Sequence, residues 1–114
     1  MSEQRVLIKI GGNALGPDDT TAEDLVWLQR EGYGPVVVHG GGKTVTQWLE
    51  RMALPTRFVR GLRVTDEESI DVVVAVLAGL VNKQLVAGIN AAGGRAVGLC
   101  GADGGVVRAR VKDP

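Results

Sequence analysis

The chain has few of the side chains that form disulfides or hold metals. It contains one cysteine, Cys100, and one histidine, His39, in 114 residues. A lone cysteine cannot form an internal disulfide, and the N-terminus lacks the charged-then-apolar pattern of a signal peptide, so a cytoplasmic setting is expected. A lone histidine is more typical of a hydrogen-bonded residue at a strand end than of a catalytic base or a metal ligand. The composition therefore gives no indication of a disulfide, a histidine-ligated metal or a catalytic histidine.

Neither sign of charge is in excess, and no apolar run is long. Thirteen Lys and Arg residues balance thirteen Asp and Glu residues, so there is no electrostatic case for a nucleic acid or an anionic membrane surface. The longest nearly apolar run, residues 72–81, is far shorter than the roughly 20 residues that span a bilayer. Hydrophobic residues make up 45% of the chain, enough to bury the core of one domain. The expected partners are small molecules or other protein chains.

Glycine, in contrast, is clustered. Residues 36–44 have the sequence VVVHGGGKT, and a glycine run after a strand marks a place where the backbone turns tightly or lets another group approach its N–H groups. The ending Gly42-Lys43-Thr44 suggests a P-loop, but that motif also needs a glycine at position 37, where the chain has valine. If this loop binds phosphate, it does so by a different arrangement. Lys43 and Thr44 then belong to the first turn of a helix.

Hydrophobic spacing places this loop between a strand and a helix. Val45, Trp48, Leu49 and Met52 recur at the spacing of one helix face, and the helix is expected to end before Pro55. The other elements expected in this half are a strand at residues 5–10, a helix that starts at a capping box of Thr21 and Asp24, and a strand at residues 36–39. Strands that alternate with helices imply parallel β-α-β units, in which ligands bind at the carboxyl ends of the strands.

The second half should begin with a hairpin and continue into a long helix. The hairpin is expected at residues 57–64 with its turn at Gly61. A capping box of Thr65 and Glu68 then predicts a helix that continues to about residue 92.

This long helix is apolar nearly all round between residues 70 and 81. A helix on one sheet needs only one apolar stripe, so this one should pack on two sides. After it, strands are expected at residues 95–100 and 106–111, joined by a glycine-rich turn in which Asp103 supplies turn chemistry.

The residues at the strand ends suit phosphoryl transfer. Lys9 stands at the end of the first strand, followed by Gly11 and Gly12, and residues 40–42 offer further N–H groups at the start of a helix whose dipole favours anions. If the two strands are neighbours, a cleft lined by one ammonium and two sets of glycine amides can stabilise charge that develops in a transition state.

Four ordered motifs carry a resemblance to a known family. KIGGNAL, VVVHGGGKTV, GLRVTDEESIDVV and GLVNKQLV, spread over residues 6–107, resemble the N-terminal half of the amino-acid kinases, and most of all the acetylglutamate kinases. The resemblance implies an α/β fold with an open, mostly parallel sheet sandwiched by helices, as in carbamate kinase-like proteins. It also implies ATP-dependent phosphorylation of the side-chain carboxylate of N-acetyl-L-glutamate in arginine biosynthesis, with Mg²⁺ accompanying ATP.

The resemblance also assigns roles to residues. It implies that Lys9 contacts the transferring phosphoryl group, that Gly11 and Gly12 donate N–H bonds to it, that Gly40 and Gly41 hold the acceptor carboxylate, and that Arg63 pairs with the substrate's α-carboxylate. A carboxylate acceptor has an ordinary pKa of about 4.3 and is ionised at neutral pH, so it needs no general base.

Several alternatives remain open. Arg63 could instead pair with Asp66 or Glu67. Residues 1–114 correspond to the acyl-amino-acid-binding lobe of the family, without its C-terminal ATP-binding lobe, so the chain alone is expected to be inactive. The same loops occur in the kinases of carrier-linked aminoadipate in lysine biosynthesis, and a non-catalytic binding or dimerisation module is a further possibility.

The all-round apolar helix predicts an assembly. Whichever stripe faces the sheet, another has to be covered, and a two-fold homodimer is the commonest way to cover it. The expected interface is the helix at residues 70–81, with Val76 taken as a position on its exposed side.

Overall fold

The sheet that carries the predicted loops is parallel. The computed structural model describes residues 4–11 and 18–112, in which β1 (Gln4–Ile10) pairs in parallel with β2 (Tyr33–His39). The register sets Lys9 beside Val38 and Ile10 beside His39. The two strands therefore end side by side, and the segments that follow them start from the same edge.

Within the described residues, helices cover one face of this sheet. Side chains alternate between the two faces of a strand, and the face with Ile8 and Ile10 packs on α1 (Thr21–Arg30) and α4 (Asn82–Ala91). The opposite face carries three exposed apolar side chains, Leu7 (73% exposed), Val36 (47%) and Val38 (48%). The predicted α/β class with parallel strands is confirmed, and the second face is open in this part of the chain.

α1 begins at the predicted residue with different capping partners. Its N-cap is Thr20, whose hydroxyl donates to the Asp24 carboxylate at 2.9 Å. The Thr21 N–H donates to Asp19 Oδ1 at 3.0 Å. The expected box of Thr21 and Asp24 is therefore wrong, because the acidic residue just before the helix accepts the first free N–H.

α2 (Gly42–Arg51) follows the glycine loop directly, as predicted. Val45 and Leu49 are each 1% exposed and form the centre of a core cluster, with Trp48 packed against it. Met52 is 56% exposed because it lies one residue beyond the last helical residue. Three of the four predicted apolar positions thus face the core.

The predicted hairpin is present, and its turn has the expected residue. β3 (Phe58–Val59) and β4 (Leu62–Arg63) pair in antiparallel fashion. Both turn residues have positive φ, 51° at Arg60 and 77° at Gly61, as tight hairpin turns require.

A continuous helix of 25 residues, Glu67–Ala91, runs through the second half. It consists of α3 (Glu67–Val74), a π-helical stretch at Ala75–Val81, called here the π segment, and α4. The N-cap of α3 is Asp66, which accepts from the Ser69 N–H at 2.9 Å while Ser69 Oγ accepts from the Asp66 N–H at 3.1 Å. The capping box was therefore predicted one residue too early, since Asp66 is the stronger acceptor.

The long helix packs on two sides, as its composition predicts. Its first part contributes Val72, Val76 and Val81 to the α2 cluster, and its last part contributes Leu85 and Ile89 to the sheet cluster. The helix is long and apolar enough to cross a membrane by length and composition alone, but core helices pass the same test, and 33% of its most apolar window is buried against the rest of the chain.

Residues 95–100 do not form the predicted strand. Three of its backbone N–H groups, which a strand would use for pairing, donate to side chains instead. The Arg95 N–H donates to Gln29 Oε1 at 3.0 Å. The Ala96 N–H donates to Asn90 Oδ1 and the Cys100 N–H to Asp103 Oδ2, each at 2.7 Å. Within residues 4–11 and 18–112, this segment pairs with no strand.

The predicted last strand is also wrong. Residues 106–111 are exposed and lie outside any ladder of the described residues, after a short 3₁₀ turn at Asp103–Gly105. The predicted turn role of Asp103 is confirmed, because the N–H of Cys100 bonds to its carboxylate. This bond and the Lys83 ammonium hold the pKa of Asp103 below its ordinary value.

The Asp66 cap predicts an acid-sensitive helix. The Ser69 hydroxyl and then its N–H stabilise the charged form, so the folded pKa of Asp66 lies below its ordinary value of about 3.9. A depressed folded pKa contributes stability above the unfolded pKa, and this stability is lost as pH falls through the folded value. We expect the melting temperature, followed by circular dichroism, to fall below about pH 4 and to fall less steeply in Asp66→Asn.

Glu67→Gln is the matched control, since it removes a neighbouring first-turn carboxylate that does not accept the Ser69 bonds. It should keep the wild-type acid dependence. Equal pH profiles for wild type and Asp66→Asn would show that this carboxylate does not stabilise the helix.

Candidate functional site

The candidate site lies where β1 and β2 end. The Gly40 N–H donates to the Ile10 carbonyl at 3.1 Å, which continues the sheet by one bond past β2. Gly40 is thereby tied to the end of β1, and its own N–H is engaged. Lys9 lies one position earlier on the open face of the sheet and is exposed, as is Gly11.

Gly41 lies against the long helix. Its φ of 150° is favourable only for glycine, and a Cβ placed there would come within 2.9 Å of Leu77 Cδ2 and 3.2 Å of Val81 Cγ2. Both of these side chains belong to the π segment. A side chain at position 41 would therefore push the loop off the helix, which explains why glycine is required at this position of VVVHGGGKT.

The N-terminus of α2 is open toward the site. Gly41 is its N-cap, and the helix has neither a side-chain cap nor an acidic residue in its first turn. The first N–H groups of a helix have no intrahelical partner and carry the positive end of the dipole. Lys43 and Thr44 lie in this first turn, as predicted. The arrangement attracts an anion.

Arg63 extends from the hairpin to the same place. Its Nη2 donates to the Gly42 carbonyl at 3.0 Å and to Thr46 Oγ1 at 2.9 Å, and its guanidinium lies 4.7 Å from the centre of the Phe58 ring. These bonds go to α2 rather than to Asp66 or Glu67. The sequence-based alternative of an ion pair with either carboxylate is therefore wrong.

The other terminal nitrogen of Arg63, Nη1, is buried and makes no hydrogen bond within the described part of the chain. A buried donor without an acceptor is costly, and a guanidinium fork suits a carboxylate. Arg63 is thus fixed by Nη2 beside the glycine loop, while Nη1 lacks an acceptor among the described residues.

A series of hydrogen-bonded side chains connects the long helix to the carbonyl of Gly40. Asn82 is 6% exposed, and its Nδ2 lies 3.0 Å from His39 Nε2, while His39 Nδ1 lies 2.9 Å from the Gly40 carbonyl oxygen. The Lys83 ammonium donates to Asn82 Oδ1 at 2.7 Å and to the Gly98 carbonyl at 3.0 Å. Sequence reasoning assigned no role to Asn82 or Lys83, although a buried amide in an apolar helix was the available signal.

The structure brings most of the predicted site residues to one edge. Gly40, Gly41 and Arg63 surround the start of α2, and Lys9 and Gly11 lie at the end of the neighbouring strand. Gly12 lies outside the described residues.

A separate mostly apolar cavity of about 870 Å³ lies between β2, the long helix and residues 95–107. Its wall includes His39, Leu77 and Asn82, whereas Lys9, Gly41 and Arg63 do not line it. Among residues 4–11 and 18–112, no three His, Cys, Asp or Glu side chains are grouped so that they could hold a metal ion.

Comparisons with known proteins agree on one family. The family model described as "Amino acid kinase family" matches residues 4–113. The acetylglutamate kinase of Rhodopseudomonas palustris (strain TIE-1) is 51% identical over 110 residues, which are 94% of this chain and 37% of that protein. The acetylglutamate kinase of Alkalilimnicola ehrlichii is 52% identical over 112 residues, or 96% of this chain and 37% of that one. The chain thus spans little more than a third of the length of these relatives.

Solved structures are similar in fold. A Streptococcus mutans UA159 protein, smu.665, is similar with a TM-score of 0.70 and 33% identity, covering 81% of this chain and 38% of that one. N-acetylglutamate synthase from Neisseria gonorrhoeae, complexed with coenzyme A and N-acetyl-glutamate, has a TM-score of 0.63 and 26% identity over 81% of this chain and 22% of that one. With the family model matching residues 4–113, and with Gly11 and Gly40 directly following two parallel strands, the chain belongs to the amino acid kinase family.

Proposed function

We propose that this chain is the acceptor-binding part of an ATP-dependent kinase that phosphorylates the side-chain carboxylate of N-acetyl-L-glutamate. The observation that carries the proposal is the buried Arg63 Nη1, which has no partner among the described residues although Nη2 of the same fork is bound to α2. An arginine held at the start of a helix by one nitrogen fits a ligand carboxylate on the other.

The two ends of the acceptor fit the two sources of positive charge. In this proposal the α-carboxylate pairs with Arg63, and the side-chain carboxylate lies at the loop of Gly40 and Gly41. Since the Gly40 N–H already donates to Ile10, the Gly41 N–H and the first N–H groups of α2 are the donors, and Gly40 fixes where they are presented. An ionised carboxylate needs no base, which agrees with a site where the lone histidine is hydrogen-bonded on both nitrogens.

The phosphoryl group would arrive from the β1 side. ATP is the co-substrate of a kinase, and we propose that Lys9, with Gly11 and Gly12, stabilises the charge on the transferring group. Mg²⁺ and most contacts to ATP would come from a C-terminal lobe of the kind that completes this family. The 114-residue chain alone would then bind the acceptor and not turn it over.

The names of similar proteins support the acceptor. The curated relatives at about half identity are acetylglutamate kinases, and one structural neighbour was solved with N-acetyl-glutamate. Two kinds of enzyme on this fold thus handle the same acylated amino acid. No observation favours the aminoadipate alternative, which remains an outcome of the binding test.

Arg63→Lys should weaken binding of N-acetyl-L-glutamate to this chain by about tenfold or more, because a charge-assisted hydrogen bond is worth roughly 1.5–3 kcal/mol. Isothermal titration calorimetry measures this. An analogue whose α-carboxylate is replaced by an amide should bind wild type and Arg63→Lys about equally. N-acetyl-L-2-aminoadipate, one methylene longer, tests the alternative acceptor.

Arg60→Lys is the matched control, since it makes the same exchange at the exposed turn of the same hairpin. Its affinity should stay near that of the wild type. An equal loss for the acid and its α-amide in Arg63→Lys would mean that Arg63 only supports the fold. Tighter binding of the aminoadipate analogue by the wild type would overturn the acceptor.

Lys9→Arg should lower kcat far more than it changes KM, because a contact made mainly in the transition state appears in kcat. Loss of one such donor costs roughly 10²–10³ in rate. The measurement is acyl-phosphate formation, trapped with hydroxylamine, in the chain extended at its C-terminus by the corresponding remainder of the Rhodopseudomonas palustris relative.

Arg5→Lys provides the control, since Arg5 lies on the same face of β1 four residues earlier and the exchange is equally conservative. It should leave both constants unchanged. An unchanged kcat in Lys9→Arg would show that Lys9 does not contact the transferring group.

We further propose a homodimer through the helix at residues 70–81. Ile70 and Val74 are 43% and 52% exposed on one side of this helix, which leaves an apolar stripe uncovered. Val76, which the sequence placed on the exposed side, is 4% exposed and packs in the α2 cluster. That assignment is wrong, and Val74 is the position that probes the stripe.

Val74→Glu should convert the dimer to a monomer at micromolar concentration, because a charge on a covered apolar stripe is desolvated without a partner. Light scattering after size exclusion gives the mass. Val111→Glu is the control on a distant, 83% exposed valine and should remain dimeric. A monomeric wild type, or a dimeric Val74→Glu, would place the interface elsewhere or remove it.

A further inference from the structure

The tautomer of His39 follows from its neighbours. A carbonyl oxygen can only accept, so the 2.9 Å contact between His39 Nδ1 and the Gly40 oxygen requires a proton on Nδ1. In the neutral ring Nε2 is then an acceptor. Its partner at 3.0 Å must be a donor, and Asn82 presents Nδ2 there.

The orientation of the Asn82 amide is fixed by the same reasoning. Lys83 Nζ has only donors, and its 2.7 Å contact is to Asn82 Oδ1. The oxygen of the amide is thus directed to Lys83 and the nitrogen to His39. Each of the three hydrogen bonds that link Lys83 to Asn82, Asn82 to His39 and His39 to Gly40 joins one donor to one acceptor. The donors therefore all point the same way, from Lys83 toward Gly40.

This directed chain ends on the peptide that presents the loop. The Gly40 carbonyl belongs to the peptide between Gly40 and Gly41, and in a trans peptide the C=O and the N–H point in opposite directions. Because the Gly40 carbonyl points toward His39, the Gly41 N–H of the same peptide points away from His39. Leu77 and Val81 support the other side of Gly41, so the peptide is held by packing and by one hydrogen bond.

We propose that Asn82, assisted by Lys83, is a positioning residue that holds His39 in the Nδ1-protonated form and thereby orients the Gly41 N–H toward the acceptor. The inference rests on the proposed function for the identity of the acceptor, a carboxylate. Asn82 does not touch the acceptor and acts only through His39 and Gly40.

Gly98 lies so close to Asn82 that a substitution at Gly98 offers a second way to displace the Asn82 amide. A Cβ at position 98 would overlap Asn82 Oδ1 and lie 2.8 Å from Val86 Cγ2. Gly98→Ala should therefore displace the amide without removing it. It should produce the same effect on His39 as a substitution at Asn82.

The experiment uses the lone histidine of this chain as a spectroscopic probe. Long-range ¹H–¹⁵N correlation on labelled protein assigns which ring nitrogen carries the proton. The wild type should show a protonated Nδ1 and an unprotonated Nε2. In Asn82→Asp the carboxylate can only accept, so Nε2 should become protonated, and the amide signals of Gly41 and Gly42 should shift.

Binding is then measured by titrating N-acetyl-L-glutamate into each variant. Asn82→Asp and Gly98→Ala should each weaken binding by about tenfold, the equivalent of one misdirected charge-assisted hydrogen bond. Asn90→Ala is the matched control. Asn90 lies two turns further along the same helix and anchors residue 96 without a contact to His39, so this variant should keep the wild-type tautomer and affinity.

The outcomes separate this inference from the proposed function. A wild type with its proton on Nε2 overturns it, as does an Asn82→Asp variant in which the tautomer changes while the Gly41 signal and the affinity do not. The same loss in Asn90→Ala would assign the effect to loosening of residues 95–100, against the proposal. If no variant binds the acceptor, the proposed function fails, and the coupled change of His39 and Gly41 signals in the free chain still decides whether Asn82 orients the loop.

Discussion

The contact between Gly41 and the π segment is the constraint on which the site depends. The loop backbone lies so close to Leu77 and Val81 that a Cβ on Gly41 would come within 2.9 Å of one and 3.2 Å of the other. Because α2 begins one residue later, this contact also fixes where the N-terminus of that helix is presented. Arg63 is positioned in turn by α2, through Gly42 and Thr46. The groups proposed to bind the acceptor, which are the N–H groups of the loop and α2 and the guanidinium of Arg63, thus all depend on this one contact.

The long helix makes this support rigid because it belongs to both cores. Val72 packs with α2, and Leu85 packs with the sheet and α1. Between them lies the π segment, a form of helix that is rare and is often found at functional sites. Its hydrogen bonds join residues five apart instead of four. The residues after it therefore point in different directions around the helix axis than they would in an uninterrupted α-helix. This rotation sets Asn82, the first residue of α4, toward His39 while Leu85 and Ile89 still reach the sheet.

Sequence patterns predicted the elements whose signals are local. The helix face of Val45 and Leu49, the hairpin turn at Gly61 and the length of the second-half helix needed only spacing and turn chemistry. The exposed side of that helix could not be predicted, since an all-round apolar composition does not distinguish Val74 from Val76. The strand expected at residues 95–100 did not form, and Gln29, Asn90 and Asp103 bond its N–H groups instead. Gln29 is 66 residues distant in sequence, and no local pattern predicts such a partner. For the site, motif resemblance predicted roles for Lys9 and Arg63, whereas the role proposed for Asn82 required the fold.

A site for a carboxylate acceptor differs from one for an alcohol in what its histidine has to do. An alcohol must lose a proton, so a nearby imidazole would need a free nitrogen to take it. Here both nitrogens of His39 are occupied, one by the Gly40 carbonyl and the other by Asn82. The ring therefore holds the backbone, and in the proposed function developing charge is stabilised by fixed positive groups, among them the N–H donors of the loop and α2. Such groups stabilise developing charge without reorganising during the reaction, and they do so only if the loop that carries them stays where the long helix holds it.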